Sequence, residues 1–373
     1  MINHKRALFL IIILLILSPA ISFADAQRIF RENNNAVVVI VAYDKEGEQI
    51  SQGSGFVVRG DGAIATNYHV ISNAADIRVK AGDREFKVEG LLHVDKENDI
   101  VILKADVKNI PAVRLGDIGG VNVGEKVYVI SSPQGLENTI SDGVLSGLRE
   151  ITPGRKILQI TAPVSEGSSG GPVFNENGEV IGVATFLIKG AQNLNFAMPV
   201  NLIKESISAK NVIPLKEAGI LEDFKETAPY WFVLGYLYGE DGFYNEAVES
   251  YKQAIRIKPD FAEAHLGLGI AYGNLGMHEE AVESLKQAIR IKPDYAEAHY
   301  NLGNAYSNLG MDKEAVESYK QAIRIKPDHV GAHLNLGVTY LILNDRGSAL
   351  EEYKILKDLD PELANELFNL IYK

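Results

Sequence analysis

The octapeptide Gln253-Ala254-Ile255-Arg256-Ile257-Lys258-Pro259-Asp260 returns unchanged at 287 and again at 321, a period of 34 residues. Aligning on Pro259, Pro293, Pro327 and Pro361 brings further positions into register. Trp231, His265, His299 and His333 share one of them. Leu234, Leu268, Leu302 and Leu336 share another, each followed by glycine at 235, 269, 303 and 337. Tyr238, Tyr272, Tyr306 and Tyr340 come next, then Ala247, Ala281, Ala315 and Ala349. Each unit reads as two amphipathic helices, with apolar residues recurring at the 3.6-residue period. Proline cannot continue a helix interior, so it closes each second helix. Glycine and alanine at the crossings let backbones approach while leucine and tyrosine fill the space beside them. One helix pair cannot bury its apolar face alone; a stack of four makes a continuous core.

This pattern resembles the tetratricopeptide repeat over about 227–362, in units 227–260, 261–294, 295–328 and 329–362. Residues 363–373 read as a capping helix. The fourth unit departs from the others. Leu356 stands where the first three have Ala254, Ala288 and Ala322, and Asn344-Asp345-Arg346 replaces the Gly-Met turn, as expected of a unit packed against a cap. The histidines at one repeat position read as products of duplication rather than a metal ladder, since no pair shows a short ligand spacing. The resemblance implies a concave, peptide-binding groove lined by the first helix of each pair. Its positions here are Phe232, Tyr236, Leu266, Ile270, Asn274, Tyr300, Asn304, Asn308, Leu334, Val338 and Ile342. Lys and Arg are nearly absent among them, which disfavours a clamp for acidic C-termini and favours an extended, partly apolar peptide held by asparagine.

The full chain has 373 residues, long enough for two or three domains. With 37 Lys and Arg against 49 Asp and Glu, its formal net charge is −12, which argues against sequence-independent nucleic-acid binding. Cysteine is absent, so disulfides, thiolate nucleophiles and Cys-ligated metals are excluded. At the N-terminus Lys5 and Arg6 precede the 11-residue apolar run Ala7 to Leu17, then Ser18-Pro19 and the small residues Ala24 and Ala26. That is the layout of a secretory signal peptide over 1–26, too short to span a bilayer as a helix. An uncleaved anchor from Ile2 to Phe23 is the alternative. Either way the chain reads as exported, to the periplasm or beyond.

Between Gln27 and about Lys210 the texture changes to short Val- and Ile-rich runs broken by Gly, Asn and Asp, as in 36–42, 100–104, 126–130 and 180–186. Such spacing indicates an all-β sandwich or barrel. Three motifs lie on it: Thr66-Asn67-Tyr68-His69-Val70, Asn98-Asp99 before Ile100-Val101-Ile102-Leu103, and Gly167-Ser168-Ser169-Gly170-Gly171-Pro172. A free serine hydroxyl is a poor nucleophile near neutral pH and needs a base of nearby pKa, which histidine supplies.

In this order the motifs resemble the chymotrypsin-like serine peptidases, most closely the Deg/HtrA branch. Ser132-Pro133-Gln134-Gly135-Leu136-Glu137-Asn138-Thr139 and Asn195-Phe196-Ala197-Met198-Pro199 add to the likeness. The resemblance implies a double β-barrel over 27–210, joined by a linker over 211–226 to the all-α solenoid. It also implies His69 as general base, Ser169 as nucleophile and Asp99 as the group that holds the His69 tautomer. The N–H groups of Gly167 and Ser169 would form an oxyanion hole. Asp95 competes with Asp99 for its role, but only Asp99 directly precedes the apolar run, as in the family. Ser168 stands where relatives often have Asn or Asp, which leaves the bracing of the oxyanion turn to be found.

The same likeness places the specificity pocket at Pro163, Val164 and Ser165 and at Val183, Ala184 and Thr185. With no acidic residue there, a small or medium apolar side chain is the expected preference. Gly124-Glu125-Lys126 lacks P-loop spacing and no His-Glu-x-x-His occurs, so neither nucleotide nor metal cofactor is expected. The repeats occupy the place where close relatives carry PDZ domains, so trimer formation and PDZ sensing do not carry over. The reading is an exported serine endopeptidase acting on protein or peptide substrates, whose repeats recruit substrate or partner. A non-catalytic or chaperone-like scaffold is the alternative.

Overall fold

The computed structural model describes residues 25–132, 138–152, 154–165, 167–187, 195–217, 221 and 226–373. Most of the signal-peptide reading, the centre of the 132–139 motif and most of the charged end of the expected linker lie outside the described residues. The chain divides into two units, Met1–Lys225 and Glu226–Lys373.

Among the described residues of the first unit, 25–33 are helical (α1). Its strands are β1 (Val37–Tyr43), β2 (Gln49–Arg59), β3 (Ala63–Thr66), β4 (Asp76–Ala81), β5 (Arg84–Asp95), β6 (Ile100–Ala105) and β7 (Arg114–Leu115). Then come β8 (Lys126–Ser131), β9 (Thr139–Thr152), β10 (Arg155–Ile160), β11 (Pro172–Phe174), β12 (Glu179–Leu187), β13 (Asn195–Pro199) and β14 (Ile213–Pro214). Two short helices, α2 (Tyr68–Ile71) and α3 (Asn201–Ser206), interrupt them.

The strands close two six-strand barrels, in the order β1-β2-β3-β6-β5-β4 and β8-β9-β10-β13-β12-β11. Both rings therefore follow one topology, each ending where its fourth strand returns beside its first. Closure removes the open edges that a flat sheet would expose. Val127, Val129, Leu145, Leu158, Ile160, Val173, Ile181 and Ala184 fill the second barrel. Each such aliphatic side chain contributes about 1.5–3 kcal/mol on full burial, which lets the chain dispense with disulfides.

One boundary needs correction. Ile213 and Pro214, expected within a linker, pair antiparallel with Leu91 and Gly90 of β5. Proline is tolerated there because β14 is an added edge strand, where its missing N–H costs no ladder bond.

The second unit is nine helices among its described residues: α4 (Ala228–Glu240), α5 (Tyr244–Ile257), α6 (Ala262–Asn274), α7 (His278–Ile291), α8 (Ala296–Asn308), α9 (Asp312–Ile325), α10 (Val330–Ile342), α11 (Arg346–Leu359) and α12 (Pro361–Ile371). Glycines 235, 269 and 303 sit against Tyr251, Leu285 and Tyr319, so close that a Cβ would lie 2.9, 2.6 and 2.5 Å from those side chains. At the fourth unit Gly337 instead meets Leu367 of α12. Leu356 is buried with Ala364, Leu367 and Ile371 of the same helix. The turn glycines 242, 276 and 310 have positive φ, and Asn344 takes that conformation at φ 61° in the fourth unit. Asparagine is among the few side chains that adopt it readily. Asp345 then caps α11 by accepting from the Ser348 N–H at 3.0 Å.

Candidate active site

β3 ends at Thr66, and Asn67, in extended conformation, opens the single turn of α2 that presents His69. The other half of this corner is the turn 95–99, which closes onto β6. Asp95 accepts from the Asn98 N–H at 3.0 Å and from its side-chain amide at 2.8 Å, so its carboxylate is spent on the turn. Asp99 follows with φ 54°. That left-handed conformation aims both its carbonyl and its carboxylate at α2. The carbonyl accepts from the Tyr68 N–H at 3.2 Å and from the Asn67 side chain at 2.9 Å. The carboxylate accepts from the His69 N–H at 2.9 Å and lies 2.7 Å from His69 Nδ1. Asp99 is 1% exposed and His69 only half-buried. Between the two competing aspartates, Asp99 is the one that meets the imidazole.

Ser169 comes from the second barrel, on the turn that enters β11. Ser168 N–H donates to Ser165 O at 2.9 Å and Gly171 N–H to Ser168 O at 3.0 Å, forming successive tight turns. Gly170 N–H donates to Ala184 O of β12 at 2.9 Å and Ala184 N–H donates back to Gly171 O at 2.8 Å, fixing the turn to the barrel wall. Gly167 and Gly170 have φ of 90° and 87°. A Cβ on Gly170 would stand 2.1 Å from Ser54 O and 2.3 Å from Thr66 Oγ1. The turn thus packs on the strand ends that lead into α2. The bracing left open at Ser168 is a serine cluster. Its buried hydroxyl accepts from Ser131 Oγ at 3.0 Å and faces the Ser165 N–H at 3.4 Å, work that a larger amide or carboxylate would do elsewhere.

The specificity-pocket positions are mostly interior. Thr185 is fully buried and its hydroxyl donates to Asp99 Oδ2 at 2.9 Å, making it a third donor to that carboxylate. Val164 and Ala184 belong to the core of the second barrel, and Val183 is fully buried. Among these positions Pro163 and Ser165 are the exposed ones. Thr185 was named only as a pocket position, because a hydroxyl on an apolar strand carries no sign of the carboxylate it meets.

The groove positions also divide. Phe232 is interior, its ring 4.8 Å from that of Phe261, and Leu266 lies in a repeat core. Leu334 and Val338 pack against the core beneath α12. Asn304 Oδ1 accepts from Tyr319 Oη at 2.9 Å and from Asn335 Nδ2 at 2.8 Å, beside the half-buried Tyr300. Tyr236 is half-buried, while Ile270, Asn274, Asn308 and Ile342 are exposed. His265, His299 and His333 each bring Nε2 to a proline carbonyl, of Pro259, Pro293 and Pro327, at 3.0, 3.1 and 2.9 Å. They tie each first helix to the turn before it.

Residues 53–183 match the family of trypsin-like peptidase domains, and TPR repeats match at 235–276, 274–310 and 296–329. Over these residues the first unit is similar to trypsin-like peptidase domains. Over 165 residues, 43% of the chain, it is 36% identical to a probable periplasmic serine endoprotease DegP-like from Pseudomonas putida and covers 34% of that protein. A protein of the same description from Halomonas elongata is 38% identical over 163 residues, which are 42% of the chain and 34% of that protein. The chain thus spans about a third of the length of these relatives. Among solved structures, the HtrA-type protease AlgW with tripeptide is 29% identical, with a TM-score of 0.45 over 49% of the chain and 62% of that one. The chain thus has one unit similar to periplasmic serine endoproteases and another that matches TPR repeats.

Proposed function

We propose that the protein is a serine endopeptidase in which His69, Asp99 and Ser169 act as a catalytic triad. The supporting observation is the buried Asp99 carboxylate, held by both the N–H and Nδ1 of His69, on the barrel corner against which the Ser169 turn packs. A carboxylate on Nδ1 fixes the tautomer with Nε2 as the basic nitrogen. His69 then takes the Ser169 proton as the hydroxyl attacks the scissile carbonyl, and delivers it to the leaving amine. Asp99 stabilises the imidazolium formed between these steps. The N–H groups of Gly167 and Ser169 receive the negative charge that develops on the carbonyl oxygen, each worth on the order of 10²-fold in rate.

The substrates are proteins or peptides, with the repeats raising the local concentration of substrate or partner. The periplasm is the proposed compartment, supported by the N-terminal sequence and by the names of the relatives. A fluorophosphonate probe should label the wild-type chain and fail on Ser169→Ala, whose turnover should fall by roughly 10³-fold or more. Equal labelling of both would overturn the triad.

A further inference from the structure

Ser54 lies in β2 of the first barrel, fully buried, and both its backbone groups and its hydroxyl are engaged. Its N–H donates to Ser169 O at 2.8 Å, and its carbonyl accepts from Thr66 Oγ1 at 2.6 Å. Its hydroxyl donates to Gly167 O at 2.9 Å while accepting from the Ser132 N–H at 3.0 Å. We propose that Ser54 is the positioning residue that orients the oxyanion turn, an inference that rests on the triad reading above.

A hydroxyl has one proton and two lone pairs. With the Ser132 N–H occupying a lone pair, the proton is directed to the Gly167 carbonyl, so the bond has a defined polarity. Gly167 and Ser169 carry the two carbonyls on either side of the 168–169 peptide, whose N–H is one of the two oxyanion donors. One residue of the opposite barrel therefore holds the peptide groups on either side of that one. Gly167, at φ 90°, has no side chain of its own to restrict rotation. Without the Ser54 hydroxyl, its carbonyl and the Ser132 N–H lose their partner, and the turn is left with its own bonds to Ser165 O and Ser168 O.

Misplacement of this peptide falls on the transition state. The donors meet full negative charge only in the tetrahedral intermediate, so substrate binding is little affected. Ser54 touches neither substrate nor the reacting atoms and acts through Gly167.

The test compares wild type, Ser54→Ala, Ser54→Thr and Ser169→Ala on a peptide substrate, alongside affinities for a peptide aldehyde and for the matching product peptide. In Ser54→Ala, kcat should fall about 10- to 100-fold with KM changed less than about twofold. Aldehyde affinity should weaken in parallel while product affinity holds. Ser54→Thr, which keeps the hydroxyl, should recover most of kcat. Loss of product and aldehyde affinity together would mark a merely structural role and overturn the proposal, as would an unchanged kcat in Ser54→Ala. A wild-type chain that neither cleaves nor reacts with a fluorophosphonate defeats the triad reading itself, and the inference with it. If Ser54→Ala does not fold, Ser54→Cys, which keeps the shape with a much weaker donor, decides: reduced kcat with intact product affinity supports the inference, and loss of both opposes it.

Discussion

The hydroxyl of Thr185 and Nδ1 of His69 converge on the same oxygen of Asp99, at 2.9 and 2.7 Å. The carboxylate is thereby fixed from both barrels, one donor on β12 and the other on α2. Thr185→Val keeps the shape and removes the donor. A hydrogen bond to a buried charge is worth about 1.5–3 kcal/mol, so thermal stability should drop and kcat should fall about tenfold. Steady-state kinetics with a thermal melt measures both, and an unchanged kcat would show that His69 alone holds Asp99 in place.

Gly170→Ala should be far more damaging than its size suggests. The left-handed φ of 87° disfavours a side chain, and the new methyl would press on Ser54 O and Thr66 Oγ1. Neither neighbour is a flexible side-chain end. The expected cost is about 3 kcal/mol or more, with loss of fluorophosphonate labelling. A melt within a degree or two of wild type would contradict the close approach.

The two halves of the chain differ in how plainly their residues announce the fold. The repeats are legible because duplication preserved Pro259, Pro293 and Pro327 in register, and helical period is a local property. Barrel closure is not local. Nothing in β8 names β11 as its neighbour, and Ile213-Pro214 looks like a linker until β5 is seen to offer an edge. Motif residues His69 and Asp99 could be singled out because the motifs around them, in their order, resemble those of chymotrypsin-like peptidases. Ser54 and Thr185 could not, since a small hydroxyl residue in a strand looks alike whether it faces solvent or a buried carboxylate. The groove reading failed at Phe232 and Leu266 because periodicity marks a face of a helix without marking where the next repeat covers it.

The fourth repeat carries a pH-dependent contact that the others lack. Ser250, Ser284 and Ser318 occupy one repeat position and donate to backbone carbonyls one turn earlier. The corresponding residue in the fourth unit is Glu352, whose Oε2 lies 2.6 Å from Nδ1 of the buried His333. Burial lowers the pKa of this imidazole, but the Glu352 carboxylate and the Pro327 carbonyl outweigh burial, and the net shift is upward from 6.5. A raised folded-state pKa means that the protonated form is bound more tightly in the folded protein than in the unfolded chain. The contribution is therefore full below the unfolded value near 6.5 and is lost as pH rises through the folded value. Glu352→Gln removes the charge while keeping the shape. The gap in melting temperature between wild type and Glu352→Gln should be widest near pH 6 and narrow as pH rises to about 9. A gap that is constant, or that widens with pH, would show that His333 is neutral in the folded repeat and that Glu352 acts there through packing alone.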